Sequence, residues 1–188
     1  SGWRNAQDEG RQIRRGLKWK PTRIVGVDGA WVNGKGIMVA VDLGEGELLA
    51  LAEIDEKEKS AVAVWLKALK QQHNIGAIVT DDLATYKEMA QELEVGHQIC
   101  QFHVRRWTGK VLKVLEQELP PEWMYVIPKL QDLIDDLPSY GSQVLHELWK
   151  QIPGRTTLPD EKRTPLEKLR DLVLRLSKDW ERYKRPLA

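Results

Sequence analysis

Cysteine and phenylalanine each occur once among the 188 residues, and histidine only four times. A lone thiol, Cys100, can form no intrachain disulfide, which excludes a stapled secreted scaffold and favours a reducing compartment. No run approaches the roughly 18 apolar residues of a membrane span, and no charged, apolar and small-residue leader opens the chain. A cytoplasmic, nucleoid-associated location is therefore expected. An excess of one charge is also missing, since 29 Lys and Arg face 28 Asp and Glu for a net charge of +1. With 41% hydrophobic and 30% charged residues, the composition fits neither disorder nor a collagen-like repeat. The length suits one core with an appendage better than two full domains. The chain opens on Ser1, which suggests a processed or excised piece of a longer protein.

What charge there is lies unevenly. Arg4, Arg11, Arg14, Arg15, Lys18, Lys20 and Arg23 face only Asp8 and Glu9 in the opening stretch. Residues 1–22 are thus either a phosphate-contacting segment or a solvated basic linker. From Arg23 to Val32 the β-branched residues Ile24, Val25, Val27 and Val32 predict a strand. Asn33-Gly34 predicts a tight hairpin into Ile37–Leu43, and Gly44-Glu45-Gly46 a turn into Leu48–Ile54. Val62, Trp65, Leu66 and Leu69 then recur at helical spacing, with Ser60 as the expected cap. A strand at Ala77–Thr80, a helix at Ala84–Leu93 and a strand at Gln98–Phe102 follow. Three antiparallel strands and then strands joined by right-handed helical crossovers make an α/β mixed sheet, in the order used by RNase H-like folds. From Val104 onward the pattern is all-helical, broken at Pro120-Pro121, at 138–141 and at 153–165. The expected organisation is a basic linker over 1–22, an RNase H-like core over 23–110 and an all-helical insertion over 111–188. In the last helix Leu166, Leu169, Leu172, Val173, Leu176 and Trp180 form an apolar stripe, with Arg170, Arg175 and Lys178 facing elsewhere.

Three places carry residues suited to chemistry. Asp28 interrupts an apolar strand, where a buried carboxylate calls for a cation or an arginine, although an ordinary Asp-Gly turn is the competing explanation. Asp81 and Asp82 stand just past the carboxyl end of a strand, where ligand-binding residues of α/β sheets collect. Adjacent strands lie about 4.8 Å apart, so Asp28 and Asp81 on neighbouring strands could share divalent cations, with Asp82 left to cap the next helix. Cys100 and His103 form a Cys-x-x-His. With His97 they supply three nearby zinc-type ligands where a structural zinc takes four, which favours a structural wall. Arg105, Arg106 and Lys110 follow at a helix start as candidate phosphate contacts or a plain solvated face. Trp65, Trp107, Trp149 and Trp180 fall on helical apolar spacings and are expected in the core, with base stacking the minority role. His73 and His146 are expected at the surface.

Taken together, Val27-Asp28-Gly29-Ala30-Trp31-Val32, Ile78-Val79-Thr80-Asp81-Asp82 and His97-Gln98-Ile99-Cys100-Gln101-Phe102-His103 resemble DDE-type insertion-sequence transposases related to the Mutator-like group. The resemblance covers residues 23–110. It implies Asp28 and Asp81 as metal-binding catalytic carboxylates, with Cys100 and His103 matching the motif after the second acid. It further implies Mg²⁺ or Mn²⁺ as cofactor, DNA at transposon ends and target as partner, and a homo-oligomeric parent that cleaves and joins strands. The family places an all-helical insertion before its third acid, and Trp180-Glu181-Arg182 to Lys184 is similar to the stretch just upstream of that acid. Its glutamate usually follows an Asn-Asn pair, whereas the asparagines here are Asn5, Asn33 and Asn74. Glu147, Glu161, Glu167 and Glu181 read as ordinary helix surface. An inactive transposase-derived DNA-binding regulator and another RNase H-like nuclease are the alternatives.

Overall fold

The computed structural model describes residues 22–155 and 159–184, so the basic opening stretch, with Arg14 and Arg15, lies outside the described residues. Five strands form one mixed sheet: β1 (Arg23–Val32), β2 (Lys35–Asp42), β3 (Leu48–Ala52), β4 (Ile75–Thr80) and β5 (Gly96–Ile99), in the order β3-β2-β1-β4-β5. The described helices are α1 (Lys59–Gln72), α2 (Ala84–Glu92), α3 (Gln101–Glu118), α4 (Val126–Asp136), α5 (Gly141–Gln151) and α6 (Pro165–Lys184), with 3-10 turns at Pro121–Trp123 and Asp160–Lys162. Among the described residues no helix is long and apolar enough to cross a membrane.

The hairpin between β1 and β2 closes at Asn33-Gly34, both at positive φ (51° and 78°), as a two-residue antiparallel connection requires. The β1–β2 register pairs Val27 with Ala40 and Asp28 with Val39, and the β2–β3 register pairs Val39 with Leu51. The chain divides into two compact units, one comprising 22–78 with 89–96 and the other 79–88 with 97–184. Residues 110 and 111, where the sequence predicts the start of the helical insertion, both lie inside α3.

In the first unit, alternation along β1 and β2 buries Val25, Val27, Met38 and Ala40 on one face, and Val62, Leu66 and Leu69 of α1 are buried as well. Helix α1 starts earlier than expected. Its cap position is Glu58, which makes no side-chain capping hydrogen bond, and Ser60 falls within the first turn. The reason is local: the Lys57 amide donates to the Asp55 side chain at 3.0 Å and the Glu58 amide to the Asp55 carbonyl at 2.8 Å, which turns the chain before Ser60.

The second unit centres on one apolar cluster that includes Val104, Leu112, Leu115, Leu130, Leu145, Leu172, Leu176 and Trp180. Each helix presents one stripe to it, as the 3.6-residue period demands. Trp180 is fully buried and its indole N–H donates to the Pro138 carbonyl at 2.9 Å. Helix α6 starts with a reciprocal cap: the Thr164 amide donates to Glu167 Oε2 at 2.9 Å and the Glu167 amide to Thr164 Oγ1 at 3.3 Å. Glu167 is therefore buried in a capping box, not displayed on a helix surface as its sequence context suggests.

Candidate functional site

In the first unit Asp28 lies mid-strand on β1, yet it is exposed. Val25 and Val27 take the inward positions, so strict alternation sends Asp28 to the other face, beside Val39 and, one strand further, Leu51. This corrects the expectation of a buried charge in need of a counter-ion. The Gly29 amide donates to Asp28 Oδ1 at 2.9 Å, a local bond that orients the carboxylate. Glu56 was not singled out from the sequence. Its carboxyl carbon stands 2.9 Å from where a Cβ on Gly29 would be, which puts it on the face of β1 opposite Asp28. A glutamate in a loop after β3 offers no sequence signal of that proximity.

In the second unit the end of β4 is tied down by Thr80, itself buried. Its hydroxyl donates to the Asp81 carbonyl at 2.7 Å and lies 2.9 Å from His97 Nε2. The Thr80 carbonyl accepts from the Cys100 amide at 2.7 Å. Asp81 itself is half-buried, in the first position after β4. Its neighbour Asp82, expected as a helix cap, accepts at Oδ2 from Arg175 Nη2 at 2.5 Å. Burial first, then the negative charges of Asp82 and Asp179, drive the Tyr183 phenol well above its ordinary range, so it stays neutral there.

The last strand ends sooner than predicted. β5 stops at Ile99 and α3 begins at Gln101, so Gln101 and Phe102 are helical instead of extended. Cys100 occupies the cap position of α3, its carbonyl accepting from the Val104 amide at 3.1 Å, and His103 sits in the first turn. Cys100 and His103 therefore share one end of the helix. Among the described residues no group of three His, Cys, Asp or Glu converges as a metal site.

The candidate phosphate contacts separate. The Arg105 guanidinium donates from Nη2 to the Asp135 carbonyl at 2.9 Å and from Nε to the Ile134 carbonyl at 3.4 Å, which satisfies the carboxyl end of α4. Arg106 and Lys110 are exposed on α3. Two arginines set aside as solvent-facing have contacts instead: Arg170 stacks over Trp149 and Arg175 over Trp107, each guanidinium carbon 4.3 Å from a ring centroid.

No protein-family model matches the sequence, and no curated protein matches it either.

A Mg²⁺ ion takes oxygen ligands and is commonly held by only one or two carboxylates, with water and substrate phosphate completing the shell. Asp28 and Asp81 are carboxylates of that type, one exposed on β1 in the first unit and one half-buried just after β4 in the second. Cys100 and His103 offer two zinc-type ligands, where a structural zinc takes four.

Proposed function

We propose that the chain is the RNase H-like catalytic-core portion of a DDE-type DNA transposase, in which Asp28 and Asp81 bind a divalent cation, Mg²⁺ or Mn²⁺. The observation that carries the proposal is the strand order. β1, which bears Asp28, is the neighbour of β4, and Asp81 is the first residue after β4. Two carboxylates offer the hard oxygen donors that a divalent cation prefers. The substrate is DNA and the reaction is cleavage and strand transfer at transposon ends by a homo-oligomeric parent. A divalent cation, when bound, supplies the Lewis acid that activates water or a 3′-hydroxyl and stabilises the leaving oxygen. The protein's own contribution is orientation: Gly29 aims Asp28, and Thr80 fixes the backbone at Asp81. Arg106 and Lys110 supply exposed positive charge for the DNA backbone. A second proposal, a transposase-derived protein that binds DNA without cutting it, is favoured by the lack of a third converging ligand among the described residues.

Titration of the chain with Mn²⁺, followed by electron paramagnetic resonance, tests the metal assignment. Asp28→Ala and Asp81→Ala are each expected to abolish binding while leaving the melting temperature unchanged. Unaltered Mn²⁺ binding in both variants removes the role assigned to these residues. Nicking of supercoiled DNA by the wild type, lost in both variants, separates the enzyme from the DNA-binding regulator.

A further inference from the structure

Three contacts from α6 reach the segments that follow β4 and β5, all within the second unit. Arg175 holds Asp82, Asp179 Oδ1 lies 3.5 Å from Lys87 Nζ, and the Tyr183 carbonyl accepts from Gln101 Nε2 at 3.0 Å. Arg175, Asp179 and Tyr183 are spaced by four, so they form one row along the helix. The same row therefore fastens the turn after β4, the first turns of α2 and the start of α3.

Arg175 is the most constrained of the three. Asp82 retains only 16% of its side-chain exposure, so its charge is unfavourable without the guanidinium opposite it. The Trp107 ring covers one face of the guanidinium at 4.3 Å and limits the directions the fork can take. A lysine would keep the charge but neither the fork nor the stacking. Asp81 and Asp82 share a peptide unit, so holding the side chain of one restrains the backbone from which the other projects. Thr80 restrains the same backbone from the strand side through the Asp81 carbonyl. These two bonds restrain the backbone on either side of the Asp81 side chain.

We propose that Arg175 is a positioning residue: by holding Asp82 it sets the direction of the Asp81 carboxylate toward the cation, which makes α6 part of the site. This rests on Asp81 being a cation ligand, as proposed above. Partners that bond a metal ligand directly commonly change affinity about 10- to 100-fold when removed, and Arg175 acts one residue away through Asp82, so Arg175→Ala is expected to weaken Mn²⁺ binding severalfold. Arg175→Lys is expected to recover part of that loss. The experiment is the Mn²⁺ titration on the full chain, with thermal unfolding measured in parallel and Asp81→Asn as the reference for a lost ligand.

If Arg175→Ala does not fold, Arg175→Lys and Trp107→Leu carry the test, since each keeps a cation at 175 and loosens its orientation. Both are then expected to weaken Mn²⁺ binding severalfold. Supporting results are an affinity loss larger than the drop in thermal stability accounts for, and partial rescue by lysine. Wild-type affinity in the arginine variants, with binding abolished by Asp81→Asn, overturns the positioning role and leaves the metal assignment standing. Wild-type protein that binds no Mn²⁺, or binding indifferent to Asp81→Asn, overturns both.

Discussion

Gly141 opens α5 directly against Trp180, and the contact yields a prediction whose sign is opposite to that of helix propensity. A Cβ at position 141 would stand 2.1 Å from Trp180 Cζ2, 2.2 Å from Cε2 and 2.6 Å from Nε1. The indole cannot swing aside freely, because it is fully buried and bonded to the Pro138 carbonyl. Overpacking a core of this kind costs about 1–3 kcal/mol. If the ring shifts enough to release Pro138, about 1 kcal/mol more is lost. Replacing glycine by alanine within a helix recovers at most about 1 kcal/mol. Gly141→Ala is therefore expected to destabilise by about 1–3 kcal/mol, which for a chain of this size lowers the melting temperature by about 3–10 °C. Urea unfolding followed by both tryptophan fluorescence and circular dichroism measures it, with agreement between the probes testing two-state behaviour. The decisive arm is Trp180→Leu, which removes the clashing ring. In that background Gly141→Ala is expected to become neutral or stabilising, a reversal of sign. A neutral or stabilising effect in the wild type, or the same cost in both backgrounds, refutes the packing argument.

Asp42 gives a pH-dependent prediction. Burial pushes its carboxyl upward, but the amides of Glu45 and Gly44 and the Arg23 guanidinium outweigh that and hold it below its ordinary value of 3.8. Its contribution to stability is thus present above about pH 3.8 and lost as pH falls through the lowered folded-state value. Asp42→Asn is expected to lower the melting temperature at pH 7 and to flatten its decline in acid. An unchanged acid limb would remove Asp42 from the account. At the start of α6, Thr164→Ala is expected to cost about 1 kcal/mol through loss of the capping box, read as a lower urea midpoint, and Thr164→Ser to retain most of it. Equal midpoints for alanine, serine and wild type would contradict the cap.

The features legible in the sequence are those set by residues near one another in the chain. Alternation in β1, the positive-φ pair Asn33-Gly34 and the heptad-like stripe of α6 each need only a local period, and the structure contains all three elements. The junction at Cys100 was misplaced because Ile99, Cys100 and Phe102 extend an apolar pattern past the point where the chain turns into α3. The Cys100 amide still completes a sheet bond to Thr80 while its carbonyl already serves the helix, so one residue carries both signals. The burial expected for Asp28 failed for a related reason: an apolar run says that a strand has a buried face, but only the phase set by Val25 and Val27 says which residues lie on it.

Long-range pairs leave no periodic trace at all. Arg175 and Asp82 are 93 residues apart, and Arg105 meets the end of α4 across 30. A helical wheel marks such arginines as solvent-facing because charge off the apolar stripe has the same pattern whether it meets water or a partner. Length and stacking capacity decide the difference. Arg170 and Arg175 sit at the border of the α6 stripe, where a long side chain can lie across a tryptophan on another helix and still deliver its fork to an acceptor. The sequence hint that was available is the pairing of stripe-border arginines in α6 with tryptophans at apolar positions of α3 and α5. Followed through, it ties α6 to the turn after β4, through the Arg175 guanidinium on the Asp82 carboxylate.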